Sequence, residues 1–165
     1  MPVTVENVSL TRIDSTAQYK LGTLHREAGD EFQYVYFHQG DGEVDGVAGQ
    51  LVYYAASGTT TVPNYTVTMD YDTTTAIDTT IQNAAGFLQA ALTNGKYGWI
   101  QTKGFNRIAM LTGGGVAAGE VLIPTATNGA VDGVAATAVT TRDIGHALVA
   151  DSGTAQAIGT AYISM

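Results

Sequence analysis

The 165-residue sequence contains no cysteine. Disulfides, thiolate metal sites and a cysteine nucleophile are excluded at once, while the redox compartment stays unread, because a cysteine-free chain survives in either. Cations are scarce too: seven Lys and Arg face fifteen Asp and Glu, a formal net charge of −8. Nucleic-acid binding and adhesion to an anionic membrane both need clustered cations, so no nucleic acid and no membrane is expected as a partner. There are only three prolines, and charged residues make up 13% of the chain against an ordinary share of roughly 25%. No apolar run approaches the roughly 20 residues that cross a bilayer. The opening Met1-Pro2-Val3-Thr4-Val5-Glu6 lacks the basic and apolar regions of a secretory signal, which predicts a protein made in the cytoplasm.

What is abundant points to strands. The chain has 20 glycines, nine tyrosines and 45% hydrophobic residues, with many Thr, Ala and Val, a mixture that favours β-structure and tight turns. The length suits one domain, and a chain of this size hides roughly 68–70% of its unfolded surface. Residues 21–26 and 32–38 flank Glu27-Ala28-Gly29-Asp30-Glu31 and read as a hairpin with a five-residue loop. Asn94-Gly95, between residues 86–92 and 97–101, predicts a two-residue type I′ hairpin, with a short helix over 85–92 as the weaker alternative. Further strands are expected at 51–54, 65–69, 107–111, 120–123, 144–150 and 157–163. About ten short strands with frequent turns predict an all-β fold, a compact barrel or sandwich of short antiparallel strands. Residues 1–20 read as an extended N-terminal arm or edge strand, residues 21–165 as one barrel domain, and the Thr-rich 55–82 as an excursion from it.

Two strands are apolar on both faces. Phe32, Tyr34 and Tyr36 alternate with Gln33, Val35 and Phe37, and Leu51 and Tyr53 alternate with Val52 and Tyr54. A lone small barrel buries one face of each strand, so these need a second cover, from an insert of this chain or from a neighbouring subunit. Tyr34, Tyr36, Tyr53, Tyr54 and Trp99, with Val3 and Val5 of the N-terminal segment, are the candidate residues for a contact with a subunit or another partner, although Trp99 fits core packing as well.

Catalytic chemistry finds little to work with. His25, His38 and His146 form no metal-binding motif, although His25 and His38 fall on adjacent expected strands. Asp41-Gly42-Glu43-Val44-Asp45-Gly46 matches the first half of a calcium loop, but the twelfth position is Val52 where a bidentate Glu is needed, so it reads as an acidic solvated turn. Gly113-Gly114-Gly115 lacks the Lys-Ser/Thr of a phosphate loop, and no serine sits in a nucleophile elbow. The expected sites are thus none catalytic, none for a cofactor and none for a metal.

Five segments carry a resemblance: Gly22-Thr23-Leu24 through Phe32-Gln33-Tyr34-Val35; Gly46-Val47-Ala48-Gly49-Gln50-Leu51-Val52; Lys96-Tyr97-Gly98-Trp99-Ile100-Gln101-Thr102-Lys103-Gly104; Val116-Ala117-Ala118-Gly119-Glu120-Val121-Leu122-Ile123-Pro124; and Asp143-Ile144-Gly145-His146-Ala147-Leu148, with Gly153 before the last strand. In this order they resemble the small β-barrel capsid cement, or head decoration, proteins of tailed bacteriophages. The resemblance implies a non-enzymatic homotrimer on the outer surface of a virion's capsid, with the major capsid protein as its partner and no cofactor. The arm to Tyr19 and the 55–82 excursion depart from the pattern. The arm suggests a strand added to a capsid sheet edge. A receptor-binding or carbohydrate-binding β module is the competing expectation, favoured by the tyrosines and Thr-rich loops.

Overall fold

A computed structural model of the chain describes residues 7–39, 45–55, 63–69, 83–111, 115–125, 128–135, 144–150 and 157–164. Ten strands and no helix occur among them: β1 Leu24–Glu27, β2 Asp30–Phe37, β3 Leu51–Tyr54, β4 Thr66–Thr68, β5 Ala84–Leu88, β6 Tyr97–Leu111, β7 Val121–Pro124, β8 Val131–Val134, β9 Gly145–Ala147 and β10 Ala157–Ser164. The fold is all-β, with a closed five-stranded barrel and additional strands.

The barrel runs β2–β4–β3–β5–β6 and closes by pairing β6 back onto β2 over Tyr34↔Trp99 and Tyr36↔Tyr97. β1 hairpins onto the outside of β2. Beyond β6 the sheet continues through β10, β9, β7 and β8, and β8 returns to β6 at Leu111↔Val131. Most pairings are antiparallel, but β2–β4 and β6–β8 are parallel. β4 lies inside the segment read as an excursion, so residues 66–68 belong to the barrel wall, while most of the Thr-rich stretch lies outside the described residues.

Several local expectations are corrected. The β1–β2 loop is two residues, Ala28 and Gly29, with φ of 51° and 95°, the pair of left-handed conformations a type I′ turn needs. Asn94-Gly95 turns the chain, closed by the Lys96 N–H donating to the Thr93 carbonyl at 3.2 Å, yet β5 ends at Leu88, well before it. Of the two residues only Gly95 has positive φ, so the turn is not type I′. β6 is one 15-residue strand where two short ones were expected. It survives that length by bending, with a register shift that leaves Thr102 between the pairs Glu31↔Lys103 and Phe32↔Gln101.

Three apolar clusters answer the two-sided strands. Val35, Phe37, Val52, Val67, Met69, Ala85, Leu88, Leu92 and Ile100 fill the barrel. Leu51, Tyr53 and Phe87, on the other face of β3 and β5, pack against Val116, Leu122, Val131, Ile144, Ala147, Ala161 and Ile163 from the second half of the chain. Phe32, Tyr34 and Trp99, on the outer face of β2 and β6, are covered by Val8, Leu10, Tyr19 and Leu21. The second cover is thus this chain itself. Residues 7–21 fold back across β2 and β6; they do not project as an arm.

Candidate functional site

The N-terminal cover is fixed at one point. Asp14 and Tyr97 exchange two backbone hydrogen bonds, each 3.0 Å, which makes Asp14 a one-residue extension of the sheet. Its buried carboxylate accepts hydrogen bonds from the Tyr34 hydroxyl at 2.7 Å and from the Arg12 Nε–H at 2.6 Å. Lys96 Nζ donates to Ser15 Oγ at 2.9 Å beside it. Tyr19 then lies edge-on to Tyr34 at 5.2 Å and tilted on Trp99 at 5.4 Å, within the preferred range for aromatic pairs. Burial and the bond to Asp14 push the Tyr34 hydroxyl pKa well above the ordinary tyrosine range. On the neighbouring wall Tyr54 donates to Gln33 Oε1, and burial, reinforced by Tyr65, pushes its pKa up to about 12. Both phenols therefore stay neutral and hold structure.

The expected contact residues divide accordingly. Tyr34, Tyr53 and Trp99 are 0%, 0% and 1% exposed, so their side chains are core and offer no contact area to another protein. Tyr36 and Tyr54 are half-buried, and Val3 and Val5 lie outside the described residues. The exposed large apolar side chains are others: Ile13, Val47, Tyr65, Phe105, Leu148, Val149 and Tyr162.

Chemistry-bearing groups stay apart. His25 pairs with Phe32, and His38 lies six residues beyond Phe32, just past the end of β2, roughly 20 Å away at 3.3 Å per residue. His25 is buried, with Nε2 3.5 Å from Glu27 Oε2, and His146 is exposed on β9 opposite Tyr162. Of the acidic turn, Asp41 to Val44 lie outside the described residues, as do Gly113 and Gly114. Among the described residues no three His, Asp or Glu gather as metal ligands.

One cavity of about 390 Å³ opens beside the β1–β2 turn, lined by Leu10, Glu27, Ala28, Asp30, Phe32, Gln89, Gln101 and Phe105. Its rim is built by the bend of β6. Gly104 has φ of 102°, and a Cβ there would sit 2.0 Å from Asp30 Oδ1. Only glycine lets the strand come this close, so that Asp30 Oδ1 accepts the Phe105 N–H at 2.7 Å. Phe105 is thereby held outward, 54% exposed, with Tyr162 edge-on at 6.5 Å. The sequence reading missed this site because its residues come from four separate stretches. The available signal was a glycine directly before an aromatic within a strand.

No family model fits the chain, and no curated protein aligns with it significantly.

Proposed function

We propose that this protein is a capsid decoration protein, a non-enzymatic β module that binds the outer face of a tailed-phage head and braces the junctions between capsomers. The observation that carries the reading is where the resembling segments fall. They supply β1 and β2, the start of β3, the first half of β6, β7 and β9, paired among themselves as β1–β2, β2–β6 and β7–β9. The resemblance therefore lies in two groups of paired strands, β1–β2–β6 at the barrel wall and β7–β9 in the second half of the sheet, with β10 joining β6 to β9 between them. A fold whose buried polar groups are spent on locking its own cover, as Asp14 and Tyr34 are, suits a mechanical role.

In this role the protein assembles as a trimer on the shell, and many identical weak contacts add by avidity. Because Tyr34, Tyr53 and Trp99 are internal, the contacts draw on exposed apolar side chains such as Ile13, Val47, Leu148 and Val149. The test is co-sedimentation with expanded heads, alongside light scattering of the free protein. Saturable binding and a trimer's mass support the reading. Protein that stays in the supernatant at every concentration refutes it.

A further inference from the structure

The cavity under Phe105 has a lining with a marked chemical bias. Both amide hydrogens of Gln101 are committed, to the carbonyls of Lys103 at 3.2 Å and Phe105 at 3.1 Å. What this 97%-buried side chain can still present is the acceptor Oε1 (its relative exposure is 3%). Asp30 spends Oδ1 on the Phe105 N–H and retains a second carboxylate oxygen. Glu27 contributes a carboxylate that is 68% exposed at the mouth. Gln89 commits an amide hydrogen to the Phe87 carbonyl at 3.1 Å, which leaves its Oε1 as well. No Lys or Arg is among the lining residues, and the nearby cation Arg26 is paired with Glu31 at 2.7 Å. Phe105 adds an aromatic ring, 54% exposed, to this lining.

A ligand for such a site is mainly a donor, since the one amide hydrogen left on Gln89 faces several free acceptor oxygens; it carries positive charge, and has a flat surface to lay on a phenyl ring. Anions are repelled by two carboxylates. A bare metal ion lacks the required ligands, since no three-carboxylate or His cluster exists among the described residues. The guanidinium group meets every condition: five N–H donors in a planar fork, permanent charge, and affinity for carboxylates and aromatic faces together. We propose that this cavity is a docking socket for an arginine side chain of a partner protein, with Glu27 and Asp30 as its counter-charges, Gln101 Oε1 as an acceptor at its floor, and Phe105 as its stacking platform. The charge of −8 on the whole chain favours a basic partner surface in the same sense. The proposal rests on the decoration reading for the partner's identity, the capsid protein, but the socket's chemistry is independent of it.

The test follows amide resonances of the full chain by NMR while N-acetyl-arginine amide is added, with N-acetyl-lysine amide and the neutral isostere N-acetyl-citrulline amide in parallel. Saturable shifts are expected at Phe105 N–H and the Gln89 and Gln101 side-chain amides, strongest for arginine, weaker for lysine and absent for citrulline. Glu27→Gln and Phe105→Ala alter exposed side chains and leave the fold intact; each weakens arginine binding about tenfold. Absence of saturable shifts, equal response to citrulline, or indifference to Glu27→Gln overturns the socket. The two proposals fail separately. If heads bind wild type and both variants equally and the arginine probe does not bind, decoration stands and the socket falls. If the probe binds while heads are never decorated, the socket stands and decoration falls.

Discussion

Asp14 is the residue on which the N-terminal cover hangs. It sits between the Arg12 guanidinium and the Tyr34 hydroxyl while its backbone extends the sheet at Tyr97. Asp14→Ala leaves a buried phenol without its acceptor and lowers the free energy of unfolding by about 1–3 kcal/mol, whereas Asp14→Asn keeps an acceptor and costs less. Urea unfolding of the two variants checks the order. The tyrosines define a second prediction. Tyr34 and Tyr54 hold their protons more tightly in the folded chain than in the unfolded one, where tyrosine titrates near pH 10. Their contribution is fully present below about pH 10 and is lost as the pH rises toward 12 and beyond, because the unfolded state then binds fewer protons. Stability measured from pH 8 to 11.5 should fall at the alkaline end, and the fall should be shallower in Tyr34→Phe.

At the scale of elements, the cover and the bend of β6 do most to shape the surface. Residues 11–18 have no clear periodicity, yet the flanking Leu10, Tyr19 and Leu21 pack on the aromatic face of β2 and β6. Tyr19→Ala removes two ring contacts and is expected to cost about 1–3 kcal/mol while shifting Trp99 fluorescence to longer wavelength. A blue-shifted or unchanged emission would contradict the packing. In β6, Gly104→Ala forces a Cβ onto Asp30 at a φ of 102°. Loss of the Phe105–Asp30 bond follows, seen as a displaced Phe105 amide resonance and a lowered melting temperature. The strands themselves were legible where β-branched and aromatic residues run together, as in β2, β3 and β10. β8 was not, because Val131-Asp132-Gly133-Val134 carries turn residues and is a strand only through its pairing with β7. The length of β6 was hidden by Gly104, which reads as a breaker and serves as a bend.

For the whole molecule, the sequence revealed that two strands are apolar on both faces but not what covers them. Periodicity reports how many sides of a strand are dry; it does not report whose atoms keep them dry. The covers come from residues 7–21 and from the second half of the chain, so the burial that pointed to a neighbouring subunit is satisfied within one chain. A trimer must therefore stand on the exposed apolar side chains and on charge. The socket under Phe105 was equally illegible, since only the fold gathers Glu27, Asp30, Gln89, Gln101 and Phe105. The decoration reading rests on the two groups of resembling strands and on exposed apolar side chains for its contacts, and it does not depend on the socket. An electron-microscopy map of expanded heads incubated with the protein tests it most directly. The account predicts added 17.2 kDa units clustered in threes on the outer face at three-fold positions, and heads left bare at saturating protein would contradict it.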